Sequence, residues 1–217
     1  MFRHSPIIET QYFPTIPFFA LGIYSGSLFL EANEHYQKGG GRNKTSILTA
    51  NGINYLSVPL EKGKHQQTPV KEVKINWSEN WSRIHWSSIK TAYGKAPYFL
   101  HYENLIQEVF HHPPPYLYDL NLKIIELIIH ILGLPIEIKE TQRFIFPDQA
   151  KWDFRNLFTP SKKQNNPWNP LPYSQVFQER HGFVGNIGIL DLLFCLGPEC
   201  ITYLKRVAEH NKNLIEV

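Results

Sequence analysis

Pro6-Ile7-Ile8-Glu9-Thr10-Gln11-Tyr12-Phe13-Pro14-Thr15-Ile16-Pro17-Phe18-Phe19-Ala20-Leu21-Gly22-Ile23-Tyr24-Ser25-Gly26-Ser27-Leu28-Phe29-Leu30-Glu31 holds a strand, a helix and a second strand in sequence. The apolar run from Pro6 to Gln11 ends at Tyr12-Phe13-Pro14 and is expected to be extended. Thr15 is placed to cap a helix with Pro17 in its first turn and apolar residues to Tyr24, and Gly26 is its stop signal. Leu28-Phe29-Leu30-Glu31 follows as the second strand. A right-handed crossover through the helix makes the two strands parallel, with their carboxyl ends on one edge. On that edge fall Gln11, Tyr12, Glu31 and Asn33, where open sheets of this kind hold ligands. The helix start is expected to add free amides there.

Immediately beyond lies Tyr36-Gln37-Lys38-Gly39-Gly40-Gly41-Arg42-Asn43-Lys44. Three glycines among three cations and two amides outline an anion site, because glycine allows close backbone approach. The competing reading is a loop tip with solvated charges. Lys44-Thr45 after glycines lacks the second glycine of a P-loop, since Asn43 stands there. Thr45 to Ala50 and Ile53 to Leu60 flank Asn51-Gly52, which predicts a two-residue hairpin turn. Glu61 to Val70 is a polar surface loop, and Glu72-Val73-Lys74-Ile75 alternates as a strand would.

After this the chain turns helical. One helix runs from a Ser78 cap to Tyr93, with Trp81, Ile84, His85, Ser88, Ile89 and Ala92 on one stripe and Gly94 as its stop. A second starts at Pro97 and ends before Pro113-Pro114-Pro115. A third, about Leu120 to Leu132, carries one wet stripe at Asp119, Lys123, Glu126 and His130; those residues make it a core helix and not a membrane span. From Thr141 to Pro172 periodicity is lost among prolines, yet Phe144, Phe146, Trp152, Phe154, Phe158 and Trp168 argue for an ordered arm on the core. Two short helices, Ile189 to Leu196 and Pro198 to His210, close the chain. The expected fold is α/β: an N-terminal β-α-β with a mixed sheet and a hairpin, followed by a mainly helical C-terminal half. The 217 residues are expected to form one domain with a sheet-rich part (1–76), a helical part (77–140), the arm (141–172) and C-terminal helices (173–217).

A net charge of +3 is far from the dense positive tracts of a DNA-binding chain, so an anionic small molecule is the better partner and nucleic acid the poorer one. Lys162-Lys163 with Trp152 or Trp168 is the one route to stacking on single strands. Met1 to Pro6 lacks the features of a secretory signal, so a cytoplasmic protein is expected. Cys195 and Cys200 match no zinc or redox spacing and read as reduced core thiols. His111-His112 beside three prolines makes a poor metal pair, and no metal or cofactor is expected.

Several side chains are candidates for chemistry. Arg42 offers a planar fork and Lys38 a point charge for phosphate or carboxylate, with Asn43 and Tyr36 beside them. His85 is a candidate general base or a satisfied core histidine, and His181 in its loop is the second choice. Glu31 can be a base, a metal ligand or an ion-pair partner of Arg42 or Lys38, the last being the bland reading. Asp191, three residues after Gly188, suits a helix-capping carboxylate, or else a buried orienting or catalytic acid.

Gln11-Tyr12-Phe13-Pro14, Tyr36-Gln37-Lys38 with Arg42-Asn43, Leu56-Ser57-Val58-Pro59, His85-Trp86 with Tyr93 and Ala96-Pro97, Tyr173-Ser174-Gln175-Val176-Phe177, His181-Gly182-Phe183 and Ile189-Leu190-Asp191-Leu192-Leu193-Phe194 together resemble the WbqC-like family. The resemblance spans nearly the whole chain and adds Tyr93 to the candidate substrate-binding residues. That family takes its name from a product of bacterial surface-polysaccharide gene clusters, which implies a role in making or decorating a sugar precursor. Two positions depart from its pattern: Glu9-Thr10-Gln11 where Gln-Pro is usual, and Gly188 where Ser is common. The function implied is a transferase acting on a nucleotide-linked sugar or its activated acyl donor; the alternative is a non-catalytic binding or assembly protein of the same pathway.

Overall fold

The computed structural model describes residues 6–61, 68–160 and 167–216. Met1 to Ser5, most of the polar loop after Glu61 and the Lys162-Lys163 pair lie outside the described residues. The opening is β1 (Ile7–Ile8), α1 (Ile16–Ser25) and β2 (Ser27–Leu30), with β1 and β2 parallel, Ile7 opposite Phe29 and Ile8 opposite Leu30. Gly26, at φ 71°, ends α1 in the left-handed conformation that only glycine adopts without strain. Thr15 stands at the N-cap position, but its hydroxyl reaches Gln11 Oε1 and makes no capping bond to α1.

β3 (Lys44–Thr49) and β4 (Gly52–Ser57) form an antiparallel ribbon separate from the parallel sheet. Its turn is Ala50-Asn51, one residue earlier than Asn51-Gly52. Thr49 pairs with Gly52, and Gly52, at φ 99°, carries the only positive φ in the turn. That is the geometry of a turn followed by a bulge glycine, in place of the paired left-handed residues of the expected turn type. Glu72 to Ile75 is not a strand: Val70–Glu72 is a single 3-10 turn, and Lys74 and Ile75 make isolated bridges to Tyr116 and Leu60.

The helical part contains α2 (Trp81–Tyr93), α3 (Phe99–His111) and α4 (Leu117–Leu132). α2 starts three residues after Ser78, whose amide is taken by Asn76 Oδ1. Its buried stripe is Trp81, His85, Ile89, Ala92 and Tyr93, while Ile84 is 58% exposed. On α4 the wet stripe is as expected: Asp119, Lys123, Glu126 and His130 are exposed, and Ile124, Ile125 and Ile128 are buried. No helix among the described residues is long and apolar enough to cross a membrane.

β5 (Glu137–Glu140) lies within the part expected to be helical and pairs parallel with β2, giving the sheet order β1-β2-β5. Its Glu-Ile-Lys-Glu sequence has one apolar residue, so pairing with β2, not local pattern, makes it a strand. The arm then returns to the other side of β1, where Ile7 exchanges backbone hydrogen bonds with Trp152 and Phe154. Phe154, Phe158 and Trp168 enter the core, whereas Phe146 stays exposed. The chain ends with α5 (Gln178–His181), α6 (Ile189–Leu196), α7 (Cys200–His210) and α8 (Lys212–Ile215), with α7 packed along α1. Cys195 and Cys200 are buried free thiols, both pushed up by desolvation.

Candidate functional site

The two parallel strands and the glycine segment do converge. The amide of Tyr12 donates to Gly41 O at 2.9 Å, and a side chain added to Gly41 would meet Gln11 Cγ at 3.1 Å. Gly39 turns the chain at φ 89°, and a Cβ on Gly40 would stand 3.0 Å from Arg42 Nη1. Gly39 is therefore explained by its positive φ, and Gly40 and Gly41 by close approach of Arg42 and Gln11 within the protein. What they enclose is a polar core under the sheet edge rather than an open pocket.

That core is well satisfied. Arg42, fully buried, donates from Nε and Nη2 to the two oxygens of Glu34 at 2.7 and 2.5 Å and from Nη1 to Asn156 at 2.8 Å. Burial works against its charge, but the hydrogen bonds to Glu34 together with the nearby Glu9 and Glu34 carboxylates outweigh it and hold the guanidinium above its ordinary value. Gln11 donates to Glu9 and to Phe158 O and accepts from the amide and hydroxyl of Thr15. The α1 start is thereby sealed, since Thr15 N is taken, Pro17 has no N–H and the segment is buried. Glu31, 0% exposed, accepts from Asn33 N, Thr141 Oγ1, Ile145 N and Arg155 Nη1. Its ion-pair partner is Arg155 at 3.1 Å, not Arg42 or Lys38. Arg42, Gln11 and Glu31 thus hold the strand ends, the glycine segment and the arm together, and offer no free face to a ligand.

His85 and Tyr12 are buried as a pair, with the Tyr12 hydroxyl 2.9 Å from His85 Nδ1. Desolvation lowers His85 to about 4, opposed by a backbone hydrogen bond to Ser57. The unfolded chain takes up this proton near 6.5, the folded protein only near 4. The stability the neutral imidazole contributes is thus present above that window and is lost as pH falls through it. At about 1.4 kcal/mol per unit this is roughly 3 kcal/mol, and the advantage of the wild type over His85→Gln in urea unfolding is expected to shrink by that amount between about pH 7 and pH 4. A pH-independent difference would contradict a neutral buried His85.

The other candidates separate. Tyr93 is 0% exposed and its hydroxyl accepts from Leu48 N at 3.1 Å, a core contact and not a substrate contact. Asp191 makes no capping bond. It is 1% exposed and accepts at Oδ2 from Tyr173 at 2.6 Å and Gln175 at 2.8 Å, while burial raises its carboxyl. His181 Nε2 faces the carbonyls of Thr49 and Ala50 at 3.1 and 3.2 Å, so it donates there and ties α5 to the hairpin turn. Trp168 is buried against Phe158 and cannot stack on a nucleic acid base.

Three expected residues do meet at a surface. Tyr36, Lys38 and Asn43 line a cleft of about 580 Å³ together with Lys44, Ser57 and Glu61. Asn43 is fixed there, accepting from the Tyr36 hydroxyl at 3.0 Å and donating to Val58 O at 2.9 Å. Lys44 Nζ lies 5.7 Å from the Tyr55 ring centroid. Ser57 was not foreseen as a site residue, although it belongs to the Leu56-Ser57-Val58-Pro59 pattern; Lys44 was set aside with the P-loop comparison. Ser57 pairs with Lys44 across the hairpin, and that register brings both to the cleft.

Residues 10–166, which include the whole cleft, match the sequence pattern of the WbqC-like protein family. The uncharacterized protein Rv1507c of Mycobacterium tuberculosis (strain ATCC 25618 / H37Rv) is 23% identical over 224 residues, covering 92% of this chain and 96% of the relative. No solved structure matches. With the family pattern running through most of the described fold, this chain belongs to the WbqC-like protein family.

Proposed function

We propose that the cleft binds an activated, anionic sugar precursor, a nucleotide-linked sugar or its acyl donor, and that the protein is a transferase of bacterial surface-polysaccharide synthesis. The observation that carries this reading is the pairing of Lys38 and Lys44 with an Asn43 held rigid by Tyr36 and Val58 in one cleft of about 580 Å³. Two ammonium groups suit a diphosphate, and a fixed amide and a serine hydroxyl suit the attached sugar or ribose. Glu61, also on the rim, favours a ligand that carries hydroxyls as well as negative charge. Family membership supports the pathway, and the cleft supports the ligand class.

Binding is tested by thermal shift with UDP-N-acetylglucosamine and with coenzyme A. One of the two is expected to stabilise the wild type. Lys38→Ala and Lys44→Ala are each expected to weaken it by about tenfold or more, the worth of a charge-assisted hydrogen bond. No stabilisation by either compound, or unchanged affinity in the double variant, overturns the reading.

A non-catalytic binding protein of the same pathway is the second reading. It is favoured by the placement of both histidines: His85 is buried on Tyr12, and His181 is bonded at the hairpin turn, so neither lines the cleft. Stoichiometric binding without transfer or hydrolysis of the bound donor, in the presence of acceptor sugars, selects it.

A further inference from the structure

The turn end of the β3–β4 ribbon borders a second depression, of about 330 Å³, lined by Thr49, Asn51, Asn54, Ser87, Ser88 and Phe177 among others. It opens on the other face of the ribbon from the cleft. Lys44 and Ser57 are cross-strand partners on one face; Ile47 with Asn54 and Thr49 with Gly52 are partners on the opposite one, because side chains alternate along each strand. The two sites are also set apart along the ribbon: Lys44 to Thr49 spans about 17 Å at the usual rise per residue.

The chemistry differs as well. Among the described residues, none lining this depression carries a charge; the polar groups are hydroxyls and amides, and the large apolar group is the half-buried Phe177 ring. Ser88 Oγ already donates to Ile84 O at 2.9 Å and Thr91 Oγ1 to Ser87 O at 2.8 Å, so both present lone pairs outward. The Asn51 and Asn54 amides each offer a carbonyl oxygen and an N–H pair. His181, tied to the Thr49 and Ala50 carbonyls, keeps Phe177 beside the turn. An anion finds no cation here, and a purely apolar ligand would strip water from the amides without replacing it. A ligand that fits must donate and accept at several points around its edge and offer an apolar face to one ring.

We propose that this depression is a binding site for an uncharged sugar ring, whose hydroxyls meet the Asn51, Asn54, Ser88 and Thr91 polar groups while its C–H face packs on Phe177. The inference is independent of the anionic ligand assigned to the cleft, because the residues, the face of the ribbon and the charge all differ.

The test is a titration of the ¹⁵N-labelled full chain, followed by amide shifts, with N-acetyl-D-glucosamine and methyl α-D-mannoside, and separately with UDP. At least one sugar is expected to shift residues of the hairpin turn, the Ser87 to Thr91 segment and Phe177 saturably, at concentrations on the order of 10 mM. Phe177→Ala is expected to weaken this by about tenfold and leave the UDP titration unchanged. Ser87→Ala, at an exposed helix position, and Asn54→Ala serve as variants that keep the fold. The proposal is overturned if neither sugar gives saturable shifts, if the shifts map to Lys38 and Lys44, or if Phe177→Ala and Asn54→Ala bind as the wild type does. UDP shifts at the cleft with no sugar response remove this site alone, and sugar shifts with no UDP response leave it standing without the cleft.

Discussion

Arg42→Ala is expected to lower the unfolding free energy by about 3–5 kcal/mol, the usual consequence of removing one member of a buried ion pair. The arginine is fully buried and grips both oxygens of Glu34, itself 2% exposed, so truncation leaves a carboxylate without its counter-ion in a place water does not reach. Even with Arg42 present, desolvation holds the Glu34 carboxyl above its ordinary value against the lowering effect of the arginine. Without Arg42 that rise grows. A carboxyl raised in this way binds its proton in the folded state before the unfolded chain does. Its contribution favours folding at low pH and is lost as pH rises through the folded pKa. The deficit of Arg42→Ala is therefore expected to narrow as pH falls from about 7 to about 5, and Glu34→Gln added to Arg42→Ala is expected to recover part of it at neutral pH. Urea unfolding at the two pH values checks both statements. A loss under about 1 kcal/mol would return Arg42 to the role of a ligand-facing cation, since surface charges contribute that little.

Trp168→Ala is expected to be of similar size, about 3–5 kcal/mol, because the indole is 2% exposed and its removal leaves a cavity as well as the lost burial. It meets Phe158 edge-on, with ring centroids 5.3 Å apart, and Phe158 stacks on Phe154 at 5.9 Å. Those contacts hold the two ends of the Pro-rich arm to each other, and the backbone bonds of Trp152 and Phe154 to Ile7 join the arm to the sheet. Beyond the drop in stability, faster proteolysis within the arm is expected at temperatures where the rest of the fold persists. A variant with wild-type stability and arm protection would mean that the aromatic chain does not anchor this segment.

These two residues mark where local reading reached its limit. Arg42 stands among three glycines and two other cations, a composition that reads equally well as an anion cradle or as a tight internal turn. The choice falls to Glu34, eight positions earlier, and Asn156, on the arm. In the same way Glu31 takes Arg155 from the arm, and that contact cannot be inferred from residues near either one. Lys38 is exposed and Asn43 partly so, whereas Tyr93 and Tyr12 are buried because their rings complete the core.

Periodicity and punctuation alone were enough for α1, its glycine stop, the parallel pairing of β1 with β2 and the wet stripe of α4, since each depends on near neighbours and on the handedness of short crossovers. Strand β5, the shifted hairpin turn and the division between buried and reachable polar groups were settled only by the folded whole. Backbone pairing and desolvation act between segments more than a hundred residues apart, as with Leu30 and Glu140 or Glu31 and Arg155, and the energy of a polar side chain there depends on which partner arrives, not on its own neighbours in the chain.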